Sequence, residues 1–188
     1  MKVNKEIEFK CQITEEKYLE LINLYQLENN IFRQTNFYFD TDDFLLMQKH
    51  IVLRIRKKSE KYYKITLKSE SLEEIANFEK HYLLNSPEKA IELITNGFEV
   101  NTFFKEINYK VYLRAQLDNY RVSIPHEVGQ LFFDKCEYYG KTDYEIEYEV
   151  DDYIEGQKVF ARFLKSHQIP FVATQRKSVR ALELAKNN

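Results

Sequence analysis

The chain has no tryptophan, two cysteines, three prolines and four glycines among its 188 residues. Cys11 and Cys136 stand alone. With no Cys-x-x-Cys pair and no histidine at zinc spacing, they argue against a disulfide scaffold or a zinc module. Two thiols outside any disulfide framework suit a reducing compartment. The sequence contains no Gly-x-x-x-x-Gly-Lys phosphate loop, no Gly-x-Gly-x-x-Gly turn, no His-Glu-x-x-His and no Gly-x-Ser-x-Gly, so the common loop-borne routes to phosphate, dinucleotide, zinc and acyl chemistry are missing. No apolar run approaches the ~20 residues of a membrane span. The opening MKVNKEIEF has no apolar core of a signal peptide. A cytoplasmic protein is therefore expected. With 28 basic and 30 acidic side chains and a net charge of −2, there is no global field to draw nucleic acid. Neither nucleic acid nor a membrane is expected as a partner, and monomer and homodimer both stay open.

What the chain does have is alternation. Aromatic residues make up 15% of it, 14 Tyr and 14 Phe, and these favour strands. Strands are expected at 4–11, 34–40, 51–57, 61–68 and 77–83, then in succession from 107 to 150, with turns at Asp118-Asn119, His126–Gly129 and Gly140-Lys141. Helices are expected at 15–28, after a Thr14 cap; from Ser86-Pro87-Glu88 to Gly97; at 153–167; and from Gln175 to Ala185. A short helical piece is expected in DDFLLMQK. No linker or repeat divides the chain, so residues 1–188 are expected to form a single α+β domain of roughly eight strands with helices outside.

Three strand segments repeat one charge at i and i+2: Glu6 and Glu8 (with Lys10) in EIEFK, Arg54 and Arg56 in VLRIRK, and Glu145, Glu147 and Glu149 in YEIEYEV. Residues i and i+2 share one face of a strand. Each segment thus has a charged stripe on one side and apolar residues on the other. Any one stripe alone is ordinary on a solvated surface. Three glutamates on one face, however, repel one another unless cations sit between them. Stripes of both signs facing one interior would compensate each other, whereas each charge buried alone would cost several kcal/mol.

In this order and spacing the motifs resemble those of the triphosphate tunnel metalloenzymes, the CYTH-domain superfamily, as found in bacteria. Its ExExK signature is met by Glu6-Ile7-Glu8-Phe9-Lys10 and its YxDT-like stretch by Tyr38-Phe39-Asp40-Thr41. Its LRxR strand is met by Leu53-Arg54-Ile55-Arg56 and its T-L-K strand by Thr66-Leu67-Lys68, with Lys64 before it. A glutamate after that strand matches Glu79, arginines of the second half match Arg114 and Arg121, and a later aspartate matches Asp134. The second ExE is met by Glu145-Ile146-Glu147 and a terminal Lys-x-x-Arg by Lys177-Ser178-Val179-Arg180. The matches run from residue 6 to 180.

The resemblance implies an eight-stranded antiparallel barrel whose tunnel binds a triphosphate. It implies metal ligation by Glu6, Glu8, Glu79, Asp134, Glu145 and Glu147, holding magnesium or manganese, which favour carboxylate oxygens. It implies phosphate binding by Arg54, Arg56, Lys64, Lys68, Arg114, Arg121 and Arg180. Lys10 and Lys177 are the candidates for orienting water or the leaving group. The implied activity is metal-dependent hydrolysis of inorganic triphosphate or a small organic triphosphate. The alternatives are an adenylyl cyclase of the same family, making cyclic AMP from ATP, and a non-catalytic polyphosphate or nucleotide binder.

Overall fold

The structure is a computed structural model that describes the backbone of residues 2–70 and 77–187 and the side chains of residues 7–69 and 79–187. In chain order the first elements are β1 (Lys2–Ile13), α1 (Glu15–Leu24), β2 (Phe32–Asp40), α2 (Leu45–Gln48), β3 (Ile51–Ser59), β4 (Tyr62–Glu70) and β5 (Asn77–Leu84). There follow α3 (Pro87–Asn96), β6 (Phe98–Glu99), β7 (Lys110–His126), β8 (Gly129–Tyr138), β9 (Lys141–Val150), α4 (Tyr153–Ser166) and α5 (Lys177–Asn187). This is the expected α+β class, built on eight long strands, with the two-residue β6 as a ninth among the described residues. The described residues fall into two compact units. One takes Met1–Lys5, Gln34–Asp118 and Arg176–Asn188; the other takes Glu6–Arg33 and Asn119–Gln175.

The first unit is built on an antiparallel meander, β2–β3–β4–β5. Its apolar face is set by alternation. Phe39, Leu53, Ile55, Ile65 and Leu67 point to one side and form a buried cluster with Leu93 of α3, Phe98 and Phe104. Fully burying side chains of this size stabilises by about 1.5–3 kcal/mol each. A one-residue slip in register would turn that whole set outward, so the cluster also decides where the intervening polar residues point. α3 forms where its sequence signals place it. Ser86 Oγ accepts from Lys89 N at 3.1 Å, Pro87 starts the helix, and Gly97 ends it at φ 70°. A Cβ at Gly97 would lie 2.2 Å from the Val111 carbonyl oxygen, so glycine is required there on two counts.

The second unit packs β1, β8 and β9 as antiparallel neighbours. Their apolar face is covered by α1 and α4, with Tyr148 stacked on Phe160 at 6.1 Å between centroids and Tyr18 against Tyr144 at 5.1 Å. Thr14 caps α1 as expected, accepting from Lys17 N.

One expectation fails. Asp118-Asn119 is not a turn, because β7 runs through it as a single 17-residue strand. The turn preference of Asp and Asn comes from side chains that bond their own backbone. Here Asp118 instead accepts from Thr35 Oγ1 at 2.6 Å, and the fully buried Asn119 accepts from Cys136 Sγ. Tertiary partners replace the local bonds that would have bent the chain. The helix expected over 15–28 ends at Leu24, with a 3-10 turn at Glu28–Asn30.

Asp40, in the YxDT-like stretch, is a structural residue. It is fully buried and its carboxylate accepts from the backbone N–H groups of Thr41 (2.8 Å), Leu46 (2.8 Å) and Met47 (2.9 Å). It thereby anchors the short α2 to the end of β2. Asp40→Ala should cost roughly 3–5 kcal/mol by stranding these donors. The check is a lower denaturant midpoint; an unchanged midpoint would contradict the role.

Candidate active site

The acidic candidates collect in the second unit. The β1–β9 register places Glu8 opposite Glu149, Lys10 opposite Glu147 and Gln12 opposite Glu145. The β8–β9 register places Asp134 opposite Glu145 and Phe132 opposite Glu147. Because Ile146 and Tyr148 are buried on the helix-covered side, Glu145, Glu147 and Glu149 share the other face. Asp134 and Glu145 are fully buried and Glu147 is 6% exposed. Carboxylate oxygens of Asp134, Glu145 and Glu147 lie within 4.8 Å of one another, and so do those of Glu8, Glu147 and Glu149. Glu147 belongs to both groups. The side chain of Glu6 lies outside the described residues.

Three buried carboxylates in one place need a counter-charge, and Arg121 supplies it. Its Nε donates to Asp134 Oδ1 at 2.7 Å and its Nη2 to Asp134 Oδ2 at 2.5 Å. Nη2 also donates to Glu147 Oε2. Burial pushes the guanidinium pKa down, but Asp134 and Glu147 push it up by more, so the net shift is upward. The guanidinium also lies over the Phe132 ring, 4.4 Å from its centroid. Lys10 Nζ donates to Glu8 Oε1 at 2.9 Å. Beneath the cluster, burial first, and then the charge of Asp134, push the Tyr18 hydroxyl up to about 12. All the acidic side chains offer hard oxygen donors only, which fits a divalent magnesium or manganese ion and not a soft metal.

The cationic candidates collect in the first unit, on the face of the meander that the apolar cluster leaves. Asn36 stands opposite Arg56 and Tyr38 opposite Arg54. Arg56 faces Lys64, Arg54 faces Thr66 and Val52 faces Lys68. Thr66 faces His81 and Lys68 faces Glu79. Glu79, 6% exposed, has three basic side chains around it: its carboxylate oxygens lie 3.2 Å from His81 Nε2, 3.6 Å from Lys68 Nζ and 3.8 Å from Arg54 Nη2. Burial pushes the Glu79 pKa up. The His81 hydrogen bond and the charges of Arg54 and Lys68 outweigh it and hold the carboxyl well below its usual range. Lys64 shows the opposite strain. Burial, then Arg54 and Arg56, push its pKa down to about 8, against a smaller pull from Glu79.

Arg114 pairs with Asp42 and lies over the rings of Tyr112 (5.7 Å) and Phe44 (5.9 Å). Lys177 and Arg180 are half-buried in the first turn of α5, also in this unit.

The structure therefore sorts the candidates by sign. Asp134, Glu145, Glu147, Glu8 and Lys10 come together around Arg121. Arg54, Lys68 and His81 come together around Glu79, with Arg56 and Lys64 paired farther along the same face. Two sequence expectations meet unexpected company: Arg121, read as a phosphate ligand, is hydrogen-bonded to carboxylates, and Glu79, read as a metal ligand, lies beside His81, Lys68 and Arg54. The sequence reading missed His81, whose Nδ1 lies 3.1 Å from Thr66 Oγ1, and Asn36, whose Oδ1 accepts from Arg56 Nε at 2.8 Å. Both were findable, since each stands at i+2 or i−2 from a motif residue on its own strand.

The chain is similar to several known proteins. "Putative triphosphatase YjbK" of Bacillus subtilis is 34% identical over 188 residues, which is 95% of this chain and 94% of that one. The crystal structure of a "putative adenylate cyclase" from Bacillus halodurans superposes with a TM-score of 0.84 at 30% identity, covering 96% of this chain and 98% of that one. A Hippeastrum protein, whose published description is of an adenylyl cyclase candidate with a dominant triphosphatase activity, shares the fold. It superposes with a TM-score of 0.75 at 21% identity over 95% of each chain. Residues 4–182 match the CYTH domain, and the chain belongs to the CYTH domain family.

Proposed function

We propose that this protein hydrolyses a phosphoanhydride bond of inorganic triphosphate or a small organic triphosphate with the help of a divalent cation. The observation that carries the proposal is the segregation of buried charge: carboxylates gathered around Glu147 in one unit, and arginines and lysines gathered around Glu79 in the other. Two such clusters have no use in folding that apolar residues would not serve as well. They suit a substrate that is itself densely anionic and carries metal. The name of the YjbK relative points the same way.

In this scheme Glu8, Asp134, Glu145 and Glu147 hold magnesium or manganese, with Glu6 assigned to the same role from the motif. The ion, when bound, supplies positive charge to phosphoryl oxygens and an acidic bound water. The protein's own groups do the rest. Arg54 and Arg56 present planar forks, and Lys64 and Lys68 point charges, to non-bridging oxygens. They thereby neutralise the charge that would repel a nucleophile and that builds as the P–O bond breaks. Arg114 and Arg180 extend the same set. Arg121 holds Asp134 and Glu147 in place and offers its guanidinium to a phosphate oxygen. Glu79 keeps Arg54, Lys68 and His81 ordered while no anion is bound. Lys10 and Lys177 orient water or the leaving group.

The second reading is adenylyl cyclisation, favoured by the name of the 30% identical Bacillus halodurans structure. It uses the same charged faces with a ribose hydroxyl as nucleophile. Assays with magnesium or manganese on tripolyphosphate, thiamine triphosphate and ATP separate the two. Metal-dependent phosphate release is expected, and cyclic AMP from ATP with no phosphate release would overturn hydrolysis. Glu147→Gln, in the residue common to both carboxylate groups, should lower kcat by at least ~100-fold while the far-UV spectrum stays native. Wild-type turnover in that variant would remove the metal assignment.

Lys64 gives a pH test with a definite sign. A bound polyanion raises the depressed Lys64 pKa, so binding takes up a proton near pH 8. Tripolyphosphate affinity should therefore weaken as pH rises through about 8, and more steeply in the wild type than in Lys64→Met. Comparing the two proteins cancels the titration of the ligand. Equal slopes would show that Lys64 does not face the anion.

A further inference from the structure

Within the first unit, β2 carries two carboxamides two residues apart, Gln34 at 1% exposure and Asn36 at 0%. Both polar atoms of the Gln34 side chain, and Nδ2 of Asn36, are buried without a hydrogen-bond partner among the described residues. Native proteins pair nearly all such atoms, and each exception calls for an explanation. Packing gives none, because an apolar side chain of the same size would fill the space without stranding donors.

The location of the pair supplies one. Asn36 is opposite Arg56 in the β2–β3 register, and Arg56 is opposite Lys64 in the next. Gln34 is two residues from Asn36 and shares its face. The two carboxamides therefore stand on the cationic face, at the end away from Glu79. Asn36 Oδ1 is already committed to Arg56 Nε at 2.8 Å, which fixes the direction of that guanidinium. In the neighbouring row, Arg54 Nε is also buried without a partner. Repulsion from Arg54, Arg56 and Lys58 already works on Lys64 at this end. A further cation here would add to it. A neutral N–H2 group offers a phosphate oxygen a hydrogen bond without doing so.

We propose that Gln34 and Asn36 are substrate-binding residues, donating through Nε2 and Nδ2 to non-bridging oxygens of the phosphate group held by Arg56 and Lys64, with Asn36 Oδ1 positioning Arg56. This rests on the triphosphatase reading and deepens it: the anion is read by neutral donors of fixed geometry as well as by charge.

The test is calorimetric titration of tripolyphosphate into wild-type, Gln34→Met, Gln34→Glu and Lys64→Met proteins, at ~50 mM and ~500 mM salt, with thermal midpoints of the unliganded proteins. Gln34→Met should melt at or above the wild-type temperature, because a stranded buried amide has been removed. It should bind tripolyphosphate roughly 10- to 100-fold more weakly. That loss should be the same at both salt concentrations, whereas the Lys64→Met loss should shrink in high salt. Gln34→Glu, equal in size, should bind more weakly still. Wild-type affinity in Gln34→Met, or affinity restored by Gln34→Glu, would overturn the inference and leave the triphosphatase reading standing. A wild-type protein that fails to bind tripolyphosphate would remove both.

Discussion

The structure depends on one constraint: in each unit a layer of apolar side chains fixes which way the charged residues between them point. Ile146 and Tyr148 are buried against the helices α1 and α4, so Glu145, Glu147 and Glu149 have one remaining direction. Leu53 and Ile55 lie in the cluster with α3, so Arg54 and Arg56 have one as well. Strand alternation leaves no compromise, since a shift of one residue exchanges the two faces completely. The apolar burial thus enforces a concentration of like charge that the charges themselves oppose.

Each unit answers with residents of the opposite sign. Arg121 and Lys10 sit among the carboxylates, and Glu79 sits among the cations. These counter-charges explain how the clusters persist without ligand. The compensation is partial: burial first, and then the neighbouring charges of Arg54 and Arg56, keep the Lys64 pKa lowered in spite of Glu79. A residue set left under electrostatic strain in this way is biased toward binding a counter-ion, because binding relieves what folding imposed. The amide nitrogens of Gln34 and Asn36, without partners among the described residues, are the uncharged counterpart of the same condition.

Much of this was legible in the sequence, for a physical reason. Period-two alternation in EIEFK, LRIRK and YEIEYEV gives both the strands and the shared face of their charges, and Ser86-Pro87 with Gly97 gives the limits of α3. What was not legible depends on partners distant along the chain. Asp118-Asn119 reads as a turn because the local bonds that make one are encoded locally, while Thr35 and Cys136, which replace those bonds, are not. The sign of Arg121's neighbours was hidden in the same way, since the pairing of Asp134 with Glu145 follows from the β8–β9 register. Gln34 and Asn36 escaped notice because QTNFYFD reads simply as a strand, and the burial of both faces of that strand appears only in the fold.

The central claim is that each charged cluster is a strained receptor for an ion of opposite sign. The most direct test is the thermal midpoint of the wild-type protein with magnesium alone, tripolyphosphate alone, and both. Each ligand at ~100 times its Kd should add about 2.7 kcal/mol, or roughly 5–10 °C for a chain of this size. Each should do so without the other, because each relieves its own cluster. A midpoint that neither ligand moves would contradict the account.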